Sequence, residues 1–139
     1  MISSKTSFIA LIGNPVSHSL SPIMQNAAFQ YLGLDLIYIA IPCKDEDLEL
    51  VMNSLKRINC KGLNITIPYK EKVFELCSEI SPIANKLKAI NTLKLNSKKE
   101  WSGTNTDVDG FIYPLKTLHL TDKQSIVVYL LNVRFLKDK

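Results

Sequence analysis

Short apolar runs alternate along this chain with segments in which apolar residues recur every three or four positions. The short runs have the length of β-strands, and the longer segments have the period of a helix that is buried on one side. Strands and helices that alternate in sequence are typical of the α/β class. The predicted strands are residues 8–12, 36–41, 62–67 and 125–131, together with a β-hairpin of residues 89–95 and 100–104 around the turn 96–99.

Two helices are predicted after the first and second strands. Ser21 is placed as the N-cap of the first helix, Pro22 occupies its first helical position, and Gly33 ends it. The second helix begins with the acidic residues 45–47, which suit the partly positive N-terminus of a helix. The residues predicted to face the core are Met24, Ala27, Ala28 and Tyr31 on the first helix, and Leu48, Val51, Met52 and Leu55 on the second.

Two more helices are predicted further along the chain. One opens at Pro68, directly after the third strand. The other runs from about Asp107, and Pro114 is expected to kink or shorten it. The residues predicted to face the core are Val73, Leu76, Cys77 and Ile80 on the earlier helix, and Val108, Phe111, Ile112 and Leu115 on the later one.

Composition and charge exclude several classes of function. The 139 residues suffice for one domain with a sizeable core, and 46% hydrophobic with 22% charged residues indicates a soluble globular protein. The net charge of +4 is spread along the chain without a dense basic block, which argues against a nucleic-acid partner. The apolar runs are too short to cross a membrane and the N-terminus has no signal-peptide pattern, so we expect a cytoplasmic protein.

The cysteines do not have the spacing of a metal site. Cys43, Cys60 and Cys77 are odd in number and include no CxxC pair, which argues against both a disulfide framework and zinc. We therefore expect no metal ligands, and we expect all three thiols to pack as small apolar groups in a reducing compartment.

Polar residues recur where a predicted strand passes into a helix, which is the edge of an open α/β sheet where ligands bind. Simple structural roles are open for some of them. Ser21 taken alone is best interpreted as an N-cap, and Asp107 can cap its own helix. Asn91 and Asn105 are common turn residues. The candidate functional residues are Ser19, Ser21, Asn64, Thr66, Lys70, Asn91, Asn105, Thr106 and Asp107.

Lys70 is predicted in the first turn of the helix that opens at Pro68. The helix dipole disfavours a cation there by about 0.3–1 kcal/mol, and no structural gain offsets this. The same field favours the neutral amine that a general base needs, and a solvated surface lysine is the alternative. If Asp107 lies beside Lys70, its carboxylate favours the ammonium form and fixes its position. The sequence does not decide between these effects.

Four segments carry a more specific signature. They are GNPVSHSLSP at 13–22, NITIPYKE at 64–71, AINTL at 89–93 and GTNTDVDG at 103–110. In this order and spacing they resemble the shikimate dehydrogenase family, and the similarity covers about residues 7–118. It implies the N-terminal, substrate-binding domain of that family, a three-layer α/β/α fold with a mostly parallel twisted sheet that contains a β-hairpin.

The resemblance also implies an activity, the NADP-dependent reduction of 3-dehydroshikimate to shikimate in aromatic amino-acid (chorismate) biosynthesis. Shikimate is a small ring acid with three hydroxyls, so its site needs many short polar groups. By the resemblance, Lys70 and Asp107 form the catalytic pair. The implied substrate-binding set is Ser19 and Ser21 for the carboxylate, Asn64, Thr66, Asn91 and Asp107 for the ring hydroxyls, and Lys70.

Three residues receive no catalytic role in this interpretation. Gln25 stands where many family members carry a histidine. His18 lies within the first motif and is expected to stabilise the turn rather than to carry a proton. His119 is expected to be solvated.

The resemblance ends inside the last predicted strand. We therefore expect residues 1–118 to form the substrate-binding domain, and residues 119–139 to be a divergent tail that begins as the first strand of a missing nucleotide-binding domain. The last glycine is Gly110, so the glycine-rich turn that holds a dinucleotide is absent and no cofactor-binding residue is assigned. The chain is expected to be truncated or frameshifted and inactive alone.

Three functions stay open at this point. The chain is an enzyme whose cofactor domain comes from another polypeptide, a non-catalytic module that binds shikimate or quinate, or a non-functional remnant. The remnant would self-associate through exposed strand edges and apolar surface, and the same surface leads us to expect a homodimer. Cofactor-dependent turnover distinguishes the first function, and saturable binding distinguishes the second from the third.

Overall fold

A computed structural model gives the structure of residues 2–117, with side chains described through Pro114. The predicted strand 125–131, the tail 119–139 and His119 lie outside the described residues. The strands are β1 (Ser7–Gly13), β2 (Leu36–Pro42), β3 (Cys60–Ile65), β4 (Glu79–Ile80), β5 (Thr92–Leu95) and β6 (Trp101–Thr104). The helices are α1 (Ser21–Tyr31), α2 (Leu48–Leu55), α3 (Pro82–Leu87) and α4 (Asp107–Thr117), with 3-10 helices at Asp45–Asp47 and Lys72–Leu76.

The described strands form one mixed sheet in the order β2-β1-β3-β5-β6-β4. β1 pairs in parallel with β2 and β3, β5 is antiparallel to β3 and β6, and β4 is parallel to β6. Among the described strands, β5 is therefore the one that runs against the others. This confirms the predicted α/β class with a mostly parallel sheet and a hairpin. Because β5 is reversed, the residues before it lie at the same sheet edge as those that follow β1, β3 and β6.

The face of the sheet under α2 and α3, called here the α2 face, carries the larger apolar core. Ala10 and Ile12 of β1 are fully buried there with Leu48 and Met52, as the helical period of α2 predicts. Trp101 is 1% exposed, and its Nε1–H donates to the carbonyl oxygen of Met52 at 3.1 Å. Full burial of a large apolar side chain contributes about 1.5–3 kcal/mol. This face therefore supplies most of the apolar stabilisation of the described fold.

On the opposite face, the α1 face, the core-facing residues predicted for α1 are wrong. Met24 and Tyr31 are 61% and 88% exposed, and Ala27 and Ala28 are exposed as well. Phe29, on the other side of the helix, is the buried residue. Its neighbours in this smaller core are Leu11, Val16 and Tyr38.

The orientation of α1 follows from the hydrogen-bonding needs of β2, an edge strand. The Asn26 side chain donates to the backbone oxygen of Tyr38 and accepts from the backbone N–H of Tyr38, both at 2.8 Å. It also donates to the Pro22 carbonyl at 2.8 Å. An unpaired backbone group costs about 1–3 kcal/mol when it is buried. Satisfying two of them turns Asn26 and Phe29 inward and leaves the apolar side of α1 outside.

The predicted N-cap of α1 is also wrong. Leu20 occupies the N-cap position without a side-chain cap, and Ser21 is the first helical residue. The backbone N–H of Ser21 donates to Ser19 Oγ at 3.2 Å. Pro22 lies in the first turn, and Gly33 adopts a φ of 65° just beyond the helix end, as predicted for its stop.

The helix predicted from Pro68 is wrong. That segment forms a turn, the 3-10 helix Lys72–Leu76 and the strand β4. The backbone N–H groups of Ser78 and Ser81 donate to the carbonyls of Trp101 and Gly103, both at 3.0 Å. Pairing with β6 therefore overrides the helical period of this segment, and Ser81 caps the separate helix α3.

The third strand is shorter than predicted, and two residues predicted to face the core from the last helix are partly exposed. β3 ends at Ile65, so Ile67 lies beyond it and is 52% exposed. Phe111 and Ile112 of α4 are 40% and 37% exposed. The chain divides into a unit that ends at Asp107 and a second unit that begins at Val108, of which α4 is the described part.

The three cysteines are free thiols, as predicted. Cys43 and Cys60 are buried and Cys77 is half-buried. Burial raises the pKa of each thiol, for Cys77 to about 11. Within residues 2–117, no helix combines the length and apolar character needed to span a bilayer.

Candidate functional site

The Asp107 carboxylate is the centre of a polar cluster at the sheet edge. Lys70 Nζ donates to its Oδ2 at 2.7 Å, and Asn91 Nδ2 donates to its Oδ1 at 2.6 Å. The Lys70 side chain is 28% exposed and that of Asp107 is 52% exposed, so this ion pair reaches solvent. Lys70, Asn91, Thr106 and Asp107 are called the Asp107 cluster below. The ion pair is therefore held in one orientation by Asn91, and a ligand can reach it from solvent.

The backbone around this cluster is fixed by further hydrogen bonds. The Lys70 carbonyl accepts from the N–H of Ile90 at 2.7 Å, which ties the turn after β3 to the start of β5. Asn105 is 4% exposed, and its Oδ1 accepts the N–H of Asp107 at 3.0 Å while its Nδ2 donates to Ala89 at 3.1 Å. Asn105 therefore holds the start of α4 and does more than form a turn.

Asn91 is 8% exposed and has its amide fully engaged. Besides Asp107, its Nδ2 donates to Thr106 Oγ1 at 3.1 Å. Its Oδ1 accepts from the backbone N–H of Thr106 and from Thr92 Oγ1, both at 2.9 Å. A buried amide with every group paired is rigid. The structure thus gives Asn91 the role of orienting Asp107.

A second set of hydrogen bonds connects Asn64 with Tyr38, Asn91 and Thr92. Asn64 Nδ2 donates to the Asn91 carbonyl at 3.3 Å and to Thr92 Oγ1 at 3.2 Å. Its Oδ1 accepts from the Tyr38 hydroxyl at 2.8 Å. Burial raises the pKa of Tyr38. A continuous chain of hydrogen bonds therefore joins Tyr38 through Asn64 to Asn91 of the Asp107 cluster.

The turn before α1, residues 17–21, carries two hydroxyls and is called the serine turn. Ser19 is half-buried and its backbone N–H donates to the Val16 carbonyl at 3.1 Å. Ser19 and Ser21 lie at the N-terminal end of an 11-residue helix, which is partly positive. His18 is exposed, and within the described residues it has no hydrogen bond that stabilises the turn.

Thr66 is held between β1 and the turn after β3. Its backbone N–H donates to the Ile12 carbonyl at 2.9 Å. A Cβ on Gly13 would lie only 2.3 Å from Thr66 Cγ2, so Gly13 is required for this close approach. Among residues 2–117 the Thr66 hydroxyl has no hydrogen-bond partner, which leaves it available to a ligand.

The predicted setting of Lys70 is wrong. Lys70 lies in a turn before a five-residue 3-10 helix, not in the first turn of an α-helix, so no substantial helix dipole acts on it. Its position is explained by the ion pair with Asp107. The Asp107 side chain bonds to Lys70 and Asn91, and the capping role considered for it is not observed.

Sequence reasoning missed two members of this network. Tyr38 lies in the predicted apolar strand 36–41 and receives no functional role from the sequence, although a buried tyrosine hydroxyl normally needs a hydrogen-bond partner. Thr92 directly follows Asn91, and its hydroxyl bridges Asn64 and Asn91. A concavity of about 420 Å³ on the β4–β6 side includes Thr92 and Thr104 in its lining, whereas Lys70 and Asp107 do not line it.

The glycines of the sequence do not have the spacing of a dinucleotide-binding turn. The five glycines, at positions 13, 33, 62, 103 and 110, never form the Gly-x-Gly-x-x-Gly spacing of a dinucleotide site. Gly13, which ends β1, makes room for the Thr66 methyl group rather than for a pyrophosphate. No step that involves the nucleotide can be derived from these residues.

Fold and site together define an α/β domain with an ion-paired polar site at the carboxyl edge of its sheet. Residues 11–93 match the family model of the shikimate dehydrogenase substrate binding domain. The chain belongs to the shikimate dehydrogenase family.

Known relatives agree with this assignment. The shikimate dehydrogenase (NADP(+)) of Prochlorococcus marinus strain MIT 9312 is 91% identical over 128 residues, which are 92% of this chain and 45% of that protein. This chain spans about half the length of the curated relatives it matches.

Solved structures support the fold. Shikimate dehydrogenase from Aquifex aeolicus is 38% identical with a TM-score of 0.81, covering 86% of this chain and 44% of that one. Shikimate 5-dehydrogenase from Listeria monocytogenes, in complex with shikimate and NAD, is 35% identical with a TM-score of 0.80, covering 84% and 40%.

Proposed function

We propose that this chain is the substrate-binding part of an NADP-dependent shikimate dehydrogenase, which reduces 3-dehydroshikimate to shikimate. Residues 1–118 form that domain in this proposal. The observation that carries it is the Lys70–Asp107 ion pair of 2.7 Å, oriented by Asn91 and open to solvent at the sheet edge. The shikimate bound in the Listeria relative supports a ring acid as ligand.

The carboxylate of the ligand is assigned to the serine turn. Ser19 and Ser21 provide hydroxyls at the N-terminal end of α1, whose partial positive charge favours an anion. The first turn of α1 contains no acidic residue. An anion there meets no competing carboxylate on the helix.

The ring hydroxyls are assigned to Asn64, Thr66, Asn91 and Asp107. Thr66 has the hydroxyl that lacks a partner among residues 2–117, so it supports a direct contact. Asn91 has both amide hydrogens engaged, and it contributes by holding the Asp107 carboxylate. The Asp107 oxygens keep lone pairs that can accept from a ligand hydroxyl.

Lys70 and Asp107 are assigned the proton chemistry. An ammonium has three hydrogens, and one of them is directed at Asp107 Oδ2. A second can reach the oxygen that becomes an alkoxide when a carbonyl is reduced, which stabilises the charge and supplies a proton. Asp107 keeps Lys70 charged and placed for this role.

We further propose that the chain binds its ligand and has no turnover alone. The absence of a Gly-x-Gly-x-x-Gly spacing in its sequence supports this proposal. The second candidate, a shikimate- or quinate-binding module without catalysis, is favoured by the same observation. Reduction of NADP by shikimate in the presence of this chain alone would contradict both.

Titration of the chain with shikimate, followed by backbone amide shifts, tests the assignment. Lys70→Ala and Ser21→Ala are each expected to weaken shikimate binding at least tenfold, because each removes a polar side chain assigned to contact the ligand. Lys72→Ala is the matched control, since Lys72 forms a comparable 2.6 Å ion pair with Asp45 and makes no hydrogen bond to the Asp107 cluster. Equal effects of Lys70→Ala and Lys72→Ala would sink the proposal.

The expected homodimer is retained as a proposal. The outward side of α1 exposes Leu20, Ile23 and Met24 by 74%, 73% and 61%, and the helix has no charged residue to keep copies apart. Sedimentation over a range of concentrations tests it. A monomer mass that does not depend on concentration would contradict it, and Met24→Gln is expected to weaken any dimer.

A further inference from the structure

We propose that Tyr38 is a positioning residue of this site, which fixes the Asn64 side chain as a hydrogen-bond acceptor. The proposal rests on the proposed function, because it concerns the same ligand. Tyr38 is 3% exposed on the α1 face of β2, and its hydroxyl lies 2.8 Å from Asn64 Oδ1. Tyr38 does not belong to the Asp107 cluster, and the family signature segments do not include it.

The direction of each hydrogen bond in this region follows from its partners. The Asn91 backbone oxygen can only accept, so the Asn64 group that faces it at 3.3 Å is the amide nitrogen. The oxygen of Asn64 therefore faces Tyr38, whose hydroxyl must donate across the 2.8 Å contact. Only this arrangement of donors satisfies the Asn64 amide, the Asn91 carbonyl and the Tyr38 hydroxyl together.

This arrangement decides what Asn64 can offer a ligand. Both hydrogens of its amide are committed, one to the Asn91 carbonyl and one to Thr92 Oγ1. Its Oδ1 has two lone pairs and uses one of them for Tyr38. Asn64 is therefore an acceptor toward the site, which matches a hydroxyl and rejects a carbonyl or ether oxygen at that position.

Packing alone does not explain the Tyr38 hydroxyl. Tyr69 on the α2 face is equally buried, at 1% exposure, and its hydroxyl donates to a backbone carbonyl, that of Cys43, at 2.5 Å. Tyr38 instead donates to another side chain, that of Asn64, which is half-buried at the site. Removal of the Tyr38 hydroxyl should therefore loosen the Asn64 side chain. Removal of the Tyr69 hydroxyl should leave the site unchanged.

The test compares Tyr38→Phe with Tyr69→Phe, its matched control. Each keeps the ring and deletes one hydrogen bond, so similar losses of stability are expected in urea unfolding. Tyr38→Phe is expected to weaken shikimate binding about five- to tenfold, and Tyr69→Phe less than twofold. In an Asn64→Ala background, Tyr38→Phe should add less than a twofold effect, because Tyr38 acts through Asn64.

A ligand-free readout separates this proposal from the proposed function. The Asn64 side-chain amide protons are expected to exchange slowly with solvent, unlike those of the exposed Gln30, and to exchange faster in Tyr38→Phe. If shikimate does not bind but this acceleration is seen, the function is overturned and the positioning of Asn64 stands. Rapid exchange at Asn64 in the unmodified chain would overturn the positioning proposal, as would equal binding losses in Tyr38→Phe and Tyr69→Phe.

Discussion

The two faces of the sheet bury their polar atoms in different ways. On the α2 face, the Trp101 indole and the Tyr69 hydroxyl both donate to backbone carbonyls inside an apolar core. On the α1 face, the Tyr38 hydroxyl donates to the Asn64 side chain, and the Asn64 amide donates to the Thr92 hydroxyl as well as to the Asn91 carbonyl. Bonds to the backbone fix the fold, whereas bonds between side chains fix groups that can exchange partners when a ligand arrives. The α2 face thus stabilises the fold, and the α1 face orients the side chains of the site.

The largest expected effect tests the stabilising role of the α2 face. Leu48→Ala should lower the free energy of unfolding by about 2–5 kcal/mol, because Leu48 is fully buried and its truncation leaves a cavity. Urea denaturation measures this change. Leu50→Ala on the same helix is the control, since Leu50 is 68% exposed and its loss should change little. Similar values for both variants would mean that α2 does not pack as described.

A smaller effect is expected on the α1 face. Asn26→Ala should cost about 1–3 kcal/mol, because it leaves the backbone N–H and carbonyl of Tyr38 without their partner. The exposed Gln30 on the same helix provides the control variant Gln30→Ala, for which we expect a change within 0.5 kcal/mol. An unchanged urea midpoint in Asn26→Ala would show that α1 is not docked through this amide.

Alkaline pH should destabilise the α2 face more than the α1 face. Burial raises the pKa of the Cys77 thiol from its ordinary value of 9.0 to about 11. The unfolded chain therefore loses this proton first, and stability falls as the pH rises from 9 to 11. Burial also raises the pKa values of Cys60 and Tyr69 on that face. In Cys77→Ala, the urea midpoint should depend less on pH across this range. A profile identical to that of the unmodified chain would contradict the burial of Cys77.

The smallest effect concerns the outward side of α1. Met24→Gln should change the free energy of unfolding by less than about 0.5 kcal/mol, since Met24 is 61% exposed. Phe29→Ala, on the buried side of the same helix, is the contrasting variant, and thermal melts report both. A large loss in Met24→Gln would instead support the orientation that periodicity alone predicts.

Much of the sheet and the neighbourhood of the site could be predicted from sequence, because strand ends in an α/β fold meet at one edge. The structure does bring Lys70, Asn91 and Asp107 together. The orientation of α1 could not be predicted, since its apolar stripe competes with the need of β2 for the Asn26 amide, which only the tertiary structure reveals.

Two other features depend on contacts between distant segments. The residues after Pro68 have a helical period, but β4 forms because β6 offers a free edge for pairing. Tyr38 lies within an apolar strand, and its contact with Asn64, 26 positions away in sequence, sets its role. Local patterns do not contain this information, so the sequence predicts the candidates better than it predicts their partners.

The reversed direction of β5 has a practical consequence for experiments. The strand leaves the site edge at Thr92 and returns through β6 to Thr104, which places the turn 96–99 at the far end of the sheet. Asn96 Oδ1 accepts from the backbone N–H groups of Lys98 and Glu100, which makes this turn compact. A fluorophore, an affinity tag or an immobilisation linker placed in this turn would report on the domain, and the ligand edge would remain untouched.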